Sequence, residues 1–478
     1  MSAKRISAWT PRRSSIGIAT ALCVFAAPSL PSALTAQETA PEPGTPRAFM
    51  LPEGEVFTLA NGVRVTMVPY GTTPKVNVSL IVRTGNVDER PDEVWLADLT
   101  GDLMQEGTTT RSATDLATAA AAMGGSLNVG VGLDQTTIGG AVLSEFGADL
   151  VELIADVARN PALPASELER LKGDRVRQVS ITLQQARPIA LAEFRRRMYP
   201  EHPYGRLFPT TEMIQSFTLD HVRAFWEENY GAERARIYVS GRFDPRAVRA
   251  AIEDHFADWA SGAPAAELAP SARTGREIFF IDRPGAPQST IYLGLPVVDP
   301  SHPDYVATQV TNSLLGGSFA SRITSNIRED KGYTYSPASQ LSVRVRDAYW
   351  VQVADVTSDV TGPALDEIFY EIERLGSEAP GQEELQGIQN YMAGLFVLQN
   401  SSRGGIINQL AFIDLHGLSS DYLTGYVGRV HALTPADVQR ITREQLRADD
   451  MLLVVVGDSE VALPQLRKFG SVQVVGGG

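Results

Sequence analysis

Cysteine is almost missing from this chain: one residue, Cys23, among 478. It falls inside an N-terminal stretch that carries Lys4, Arg5, Arg12 and Arg13, then an uncharged apolar run over residues 16–27, then the small-residue segment PSALTAQE. That order predicts a secretory signal over residues 1–36, cleaved after Ala36. Arg12-Arg13 fits a twin-arginine leader less well, because the hydrophobic residue expected after the pair is displaced to Ile16. A lipid anchor on Cys23 is disfavoured by the bulk of Leu22 before it. The processed chain then has no cysteine, so disulfides are excluded and stability has to come from a large core.

Histidine is nearly as scarce. His202, His221, His255, His302, His416 and His431 are scattered, with no pair at helical ligand spacing, and neither H-x-x-E-H nor H-E-x-x-H occurs. A histidine zinc site is therefore not expected within this chain. Long hydrophobic runs are absent too: the leader's apolar stretch is too short for a permanent span and no later one approaches that length, so no stable membrane anchor is expected. Basic charge is in deficit, with 42 Lys and Arg against 56 Asp and Glu and a net charge of −14. Removing the leader's four basic residues leaves 38 against 56, near −18, which excludes nucleic acid as a natural partner.

What is present is a repeat. Residues 218–243, TLDHVRAFWEENYGAERARIYVSGRF, are echoed by 434–459, TPADVQRITREQLRADDMLLVVVGDS: a capped helix, a turn, a buried strand and a glycine. STIYLGLPVV matches KVNVSLIVRTG, and LLGGSFASRITSNIREDKGYTYSPASQ matches LMQEGTTTRSATDLATAAAAMGGSLNVGV. Asn61-Gly62 reads as a hairpin turn, Ser112 or Thr114 as a helix cap, and Leu150, Leu153, Ile154 and Val157 as one helix face. The reading is an α+β protein of two homologous α/β halves, each an antiparallel-rich sheet with helices on one side. They occupy residues 37–259 and 276–478, and residues 260–275, small and proline-bearing, form a linker.

The stretch WLADLTGDLMQEGT (95–108) places Asp98 and Asp102 four residues apart on a predicted helix, with Gly101 between them. Read alone, the two aspartates are solvated helix carboxylates, and a glycine at that place costs a helix about 1 kcal/mol relative to alanine. The frame of LADLTGDLMQEGT resembles that of the pitrilysin and insulinase family of zinc peptidases. These carry an inverted zinc helix, H-x-x-E-H, whose glutamate takes a proton from metal-bound water. By that resemblance the two histidines fall on Asp98 and Asp102, the catalytic glutamate on Gly101 and a distal glutamate ligand on Gln178. All four depart from the pattern. By the same resemblance the stretch is the remains of a zinc site, with no general base and no nitrogen ligand, and this chain is expected to hold no metal or other cofactor.

The second half departs less. NIREDKGYTYS is similar to the family segment whose arginine and tyrosine hold the substrate backbone, which places that pair on Arg328 and Tyr335. An arginine offers fixed donors to a carbonyl, and a tyrosine hydroxyl can stabilise charge on a scissile oxygen. Read alone, Arg328 is as readily a surface ion-pair residue and Tyr335 a strand aromatic. Gly316 and Gly317 either end a helix or form a substrate-contacting loop like that of noncatalytic family subunits.

The resemblance implies a clamshell and a zinc-free subunit that works as a heterodimer with a homologous zinc-bearing chain, on peptide substrates, in the periplasm. Two other readings stand beside it: an inert binding or structural protein of the same fold, and an active metalloendopeptidase by family membership.

Overall fold

The computed structural model describes residues 50, 52–266, 268 and 270–476, all within one compact unit. The expected secretory segment, residues 1–36, lies outside them. The first half contributes β1 (Glu55–Thr58), β2 (Arg64–Pro69), β3 (Lys75–Val82), β4 (Ser126–Val131), β5 (Thr136–Leu143) and β6 (Ala235–Gly241). Its helices include α1 (Leu96–Met104), α2 (Ala113–Ala122), α3 (Gly147–Arg159), α4 (Ala165–Thr182) and α5 (Ala186–Met198). The second half contributes β7 (Ile278–Asp282), β8 (Gln288–Val297), β9 (Ala338–Arg344), β10 (Asp347–Thr357), β11 (Leu452–Gly457) and β12 (Val472–Val475).

Each half is one mixed, antiparallel-rich sheet of six strands, in the orders β1-β2-β6-β3-β5-β4 and β12-β7-β11-β8-β10-β9. The repeat read from the sequence is visible in these orders: β7, β11, β8, β10 and β9 take the places of β2, β6, β3, β5 and β4. Only the outer strand differs. β1 is a hairpin partner of β2 joined through Gly62, whose φ of +100° suits glycine, whereas β12 returns from the chain's end to run parallel to β7. The echoed helix starts are both closed by capping boxes, Thr218 with His221 and Thr434 with Asp437, and Ser112 caps α2 with Asp115.

Strand alternation then does something the sequence does not announce. On β3 and β6, Val76, Val78, Leu80, Val82, Ile237 and Val239 face the first half's own helices, while Ile81 and Tyr238 point to the other side. That other side is covered by the second half's helix Arg403–Leu415, through Ile406, Ile407 and Leu410. Reciprocally, α5 brings Ala190, Phe194 and Met198 onto the second sheet's far face, against Phe279, Tyr292, Tyr349 and Val454. Each half therefore lends one helix to the other's sheet, and helices lie on both faces, where the sequence suggested one. The lent helices are equal in length, 13 residues each, and the helices preceding them, α4 and Gln382–Gln399, are 18 residues each. Polar clasps complete the docking: Tyr238 and Arg64 both engage Asp414, the latter at 3.1 Å, and Arg403 Nε donates to Asn77 at 3.2 Å.

Candidate functional site

The helix α1 begins under constraint. Trp95, the residue before it, has a left-handed φ of +71°, an uncommon conformation for a large side chain. Its indole N–H donates to the Leu207 carbonyl at 3.1 Å and its ring meets Phe208 edge-on at 5.9 Å. Glu89 takes over the capping that Trp95 cannot provide, accepting from the Ala97 amide at 2.9 Å and from the Asn86 side chain at 3.0 Å. Burial pushes the Glu89 carboxyl up to about 8, aided by the nearby Asp98 charge and opposed by its hydrogen bonds. The far side of α1 closes on β4 at Gly101, where a Cβ would sit 2.6 Å from the Val131 Cγ2 methyl.

Asp98, Asp102 and Gln178 are brought together, by a residue that no sequence motif marks. The Arg175 guanidinium, on α4, lies between them. Its Nε and Nη2 reach Asp102 Oδ2 at 2.7 Å each, and Nη1 reaches Asp98 Oδ1 and Gln178 Oε1, both at 3.3 Å. Nη2 also donates to the Asp98 carbonyl at 3.3 Å, and the Trp95 ring faces the guanidinium at 5.7 Å. Asn86 completes Asp98 with a 2.7 Å bond to its second oxygen. Asp98 and Asp102 are thus not solvated carboxylates. Their side chains are 19% and 28% exposed, against 15% for Arg175, and both carboxyls are shifted upward by burial despite the opposing guanidinium.

This donor set does not fit zinc. It holds two carboxylates and an amide but no imidazole or thiolate, and the carboxylates already spend their oxygens on a guanidinium. No group of three or more His, Cys, Asp or Glu able to hold a metal is found among the described residues. Gly101 supplies no base, and Val131 leaves no room for one.

Arg328 and Tyr335 form a second, separate cluster; no hydrogen bond or ion pair joins it to the first among the described residues. Arg328 belongs to a π-helical turn, Ser325–Asp330, a distortion frequent at functional sites. Its guanidinium lies 4.6 Å from the Phe319 ring and 5.1 Å from the Tyr335 ring, and pairs with Glu329 at 3.2 Å. Both aromatics face solvent, Phe319 at 70% exposed and Tyr335 at 80%. Tyr335 is nonetheless tethered on either side: Thr334 donates to the Asp355 carbonyl at 2.6 Å, and Arg187 of α5 reaches Asp355 at 2.6 Å and the Ser336 carbonyl at 3.4 Å. Gly316 and Gly317 lie in a π-helical turn, Ser313–Gly317, where a Cβ on Gly316 would press 2.6 Å from Ser339 Oγ. They end a helix, and the exposed element beyond them is the segment bearing Phe319, which the sequence reading did not single out. His202 is a hydrogen-bonded structural histidine, its Nδ1 accepting from the Tyr204 amide at 3.2 Å.

Two sheet-and-helix halves that lend each other a helix, with Asp98 and Asp102 of α1 closed on Arg175 in the first, define a two-half peptidase fold. The comparisons agree. A family model described as insulinase, peptidase family M16, matches residues 64–207, and one described as the peptidase M16 inactive domain matches residues 216–392. This chain belongs to that pitrilysin and insulinase family. It is 23% identical over 411 residues to an uncharacterised zinc protease of Streptomyces coelicolor, covering 83% of this chain and 88% of that one. A second such zinc protease, from Mycobacterium leprae, is 26% identical over 402 residues, covering 82% and 87%. Among solved structures, a Helicobacter pylori protease shares the fold at a TM-score of 0.79 with 20% identity, covering 85% of this chain and all of that one. A Pseudomonas fluorescens structure described as a peptidase M16 inactive domain does so at 0.77 with 23% identity, covering 85% and 98%.

Proposed function

We propose that this chain is the zinc-free, substrate-holding subunit of a two-chain peptidase, working in the bacterial periplasm beside a homologous zinc-bearing partner. The observation that carries the reading is the contrast between the two clusters. Where the peptidases named as relatives would need a metal and a base, this chain has a guanidinium and a glycine. Where the family holds substrate, it keeps a half-buried arginine and an exposed tyrosine on tethered backbone, two side chains whose donors suit a peptide carbonyl. The substrate class is an unfolded peptide, because an arginine fork and a phenol recognise backbone rather than a particular side chain. The leader sequence supports export, and the acidic charge favours basic peptides weakly, within the reach that salt screening leaves.

The test is hydrolysis of a quenched fluorescent peptide library by the processed chain with zinc, alone and mixed with a family member that keeps an intact H-x-x-E-H helix, the product of the neighbouring reading frame first. Cleavage confined to the mixture supports the shared site. Cleavage by the chain alone would make it an active metalloendopeptidase, and none in either sample would leave a binding protein of the same fold.

A further inference from the structure

Asp98 and Asp102, one helical turn apart on α1, and Gln178 on α4 present a ring of oxygens around a single positive charge. The charge is part of the chain. Arg175 is set by more than its ion pairs: the Trp95 ring faces it, Trp95 is itself pinned to Leu207 and Phe208, and Gly101 lets α1 settle against β4 beneath it.

The second half supplies an internal comparison. Counting along the equal helices α4 and Gln382–Gln399, Arg175 corresponds to Met392, which is buried in the apolar core. The fold thus closes this position with a hydrophobic side chain once and with a cation once. A charge here is not a requirement of the architecture, so it answers to the two carboxylates opposite.

We infer that Arg175 is a built-in cation standing in for a metal ion: it neutralises Asp98 and Asp102, holds α4 onto α1, and keeps divalent ions out of the site. Two carboxylates this withdrawn from water, left without a partner, strongly destabilise the folded state, whereas their joint neutral replacement does not. With the guanidinium removed, the oxygen ring that remains suits a hard cation such as Mn²⁺, or the free guanidinium ion whose shape it already fits.

The experiment uses the processed chain alone, reading melting temperature and bound metal, so its failure is distinguishable from failure of the proposed function. The wild-type protein is expected to melt identically with and without Mn²⁺ or Zn²⁺ and to retain neither. Arg175→Ala should melt several degrees lower and regain part of the loss in millimolar guanidinium chloride, relative to equal sodium chloride, or in Mn²⁺. The triple variant Asp98→Asn, Asp102→Asn, Arg175→Met should melt near wild type with no response to either cation. If Arg175→Ala does not fold, a folded triple variant still supports the inference and an unfolded one overturns it. Stoichiometric metal in the wild type that is lost with Asp98→Asn and Asp102→Asn would also overturn it. So would an Arg175→Ala protein that melts like wild type or ignores both cations.

Discussion

Gly101 is the position where sequence and packing meet most directly. In the sequence it is a helix glycine with a cost of about 1 kcal/mol; in the structure it is the point where α1 touches Val131, 2.6 Å from where a Cβ would lie. Valine cannot swing aside, since its χ1 is stiff. Overpacking costs about 1–3 kcal/mol and alanine's helix preference returns about 1. Gly101→Ala should therefore lose up to roughly 2 kcal/mol in chemical denaturation, and a gain would contradict the contact. Glu89 was not legible, because it belongs to no motif and caps a helix that begins seven residues later. Its carboxyl is raised from about 4.5 to about 8, so the folded state keeps a proton that the unfolded chain releases early in that window. The stability it contributes is complete below 4.5 and falls as pH rises toward 8. Glu89→Gln, which keeps an acceptor for the Ala97 amide, should flatten the decline of melting temperature across that window. A slope equal to wild type would show that Glu89 does not titrate there.

At the scale of elements, capping boxes and strand alternation were readable because they are local. The cap at Thr218, the hairpin at Gly62 and the doubled sheet all follow from neighbours a few residues apart. The clasp of α1 by α4 was not readable, since Arg175 lies 73 residues from Asp102 and 77 from Asp98 and no spacing links them. The exchange of helices was half readable. Ala190, Phe194 and Met198 make a stripe at four-residue steps that announces a buried face, but nothing local says that the sheet beneath it comes from the other half. Phe194 is fully buried between Tyr292 and Tyr349, with ring centroids 6.1 and 5.5 Å away. Phe194→Ala should cost about 3–5 kcal/mol. Because that contact joins the halves, calorimetry should also show the variant's two halves unfolding less cooperatively than wild type; an unchanged single transition of wild-type midpoint would remove the exchange from the list of what holds the halves together.

For the whole molecule, the two halves have diverged in opposite senses around one architecture. The first sets Arg175 between Asp98 and Asp102 of α1, the helix on which the family resemblance places metal ligands. The second has kept Arg328 and Tyr335 beside an exposed Phe319, on backbone tied to α5 by Arg187. In the function proposed for it, this chain completes a peptidase from outside the zinc site, by holding substrate for another chain. The most direct test is the hydrolysis rate of the mixed complex carrying Tyr335→Phe, with assembly followed by size exclusion. Loss of one donor to the developing oxyanion predicts a rate roughly 100-fold lower, with assembly unchanged; a mixed complex that cleaves at the wild-type rate without the Tyr335 hydroxyl would contradict the substrate-holding role.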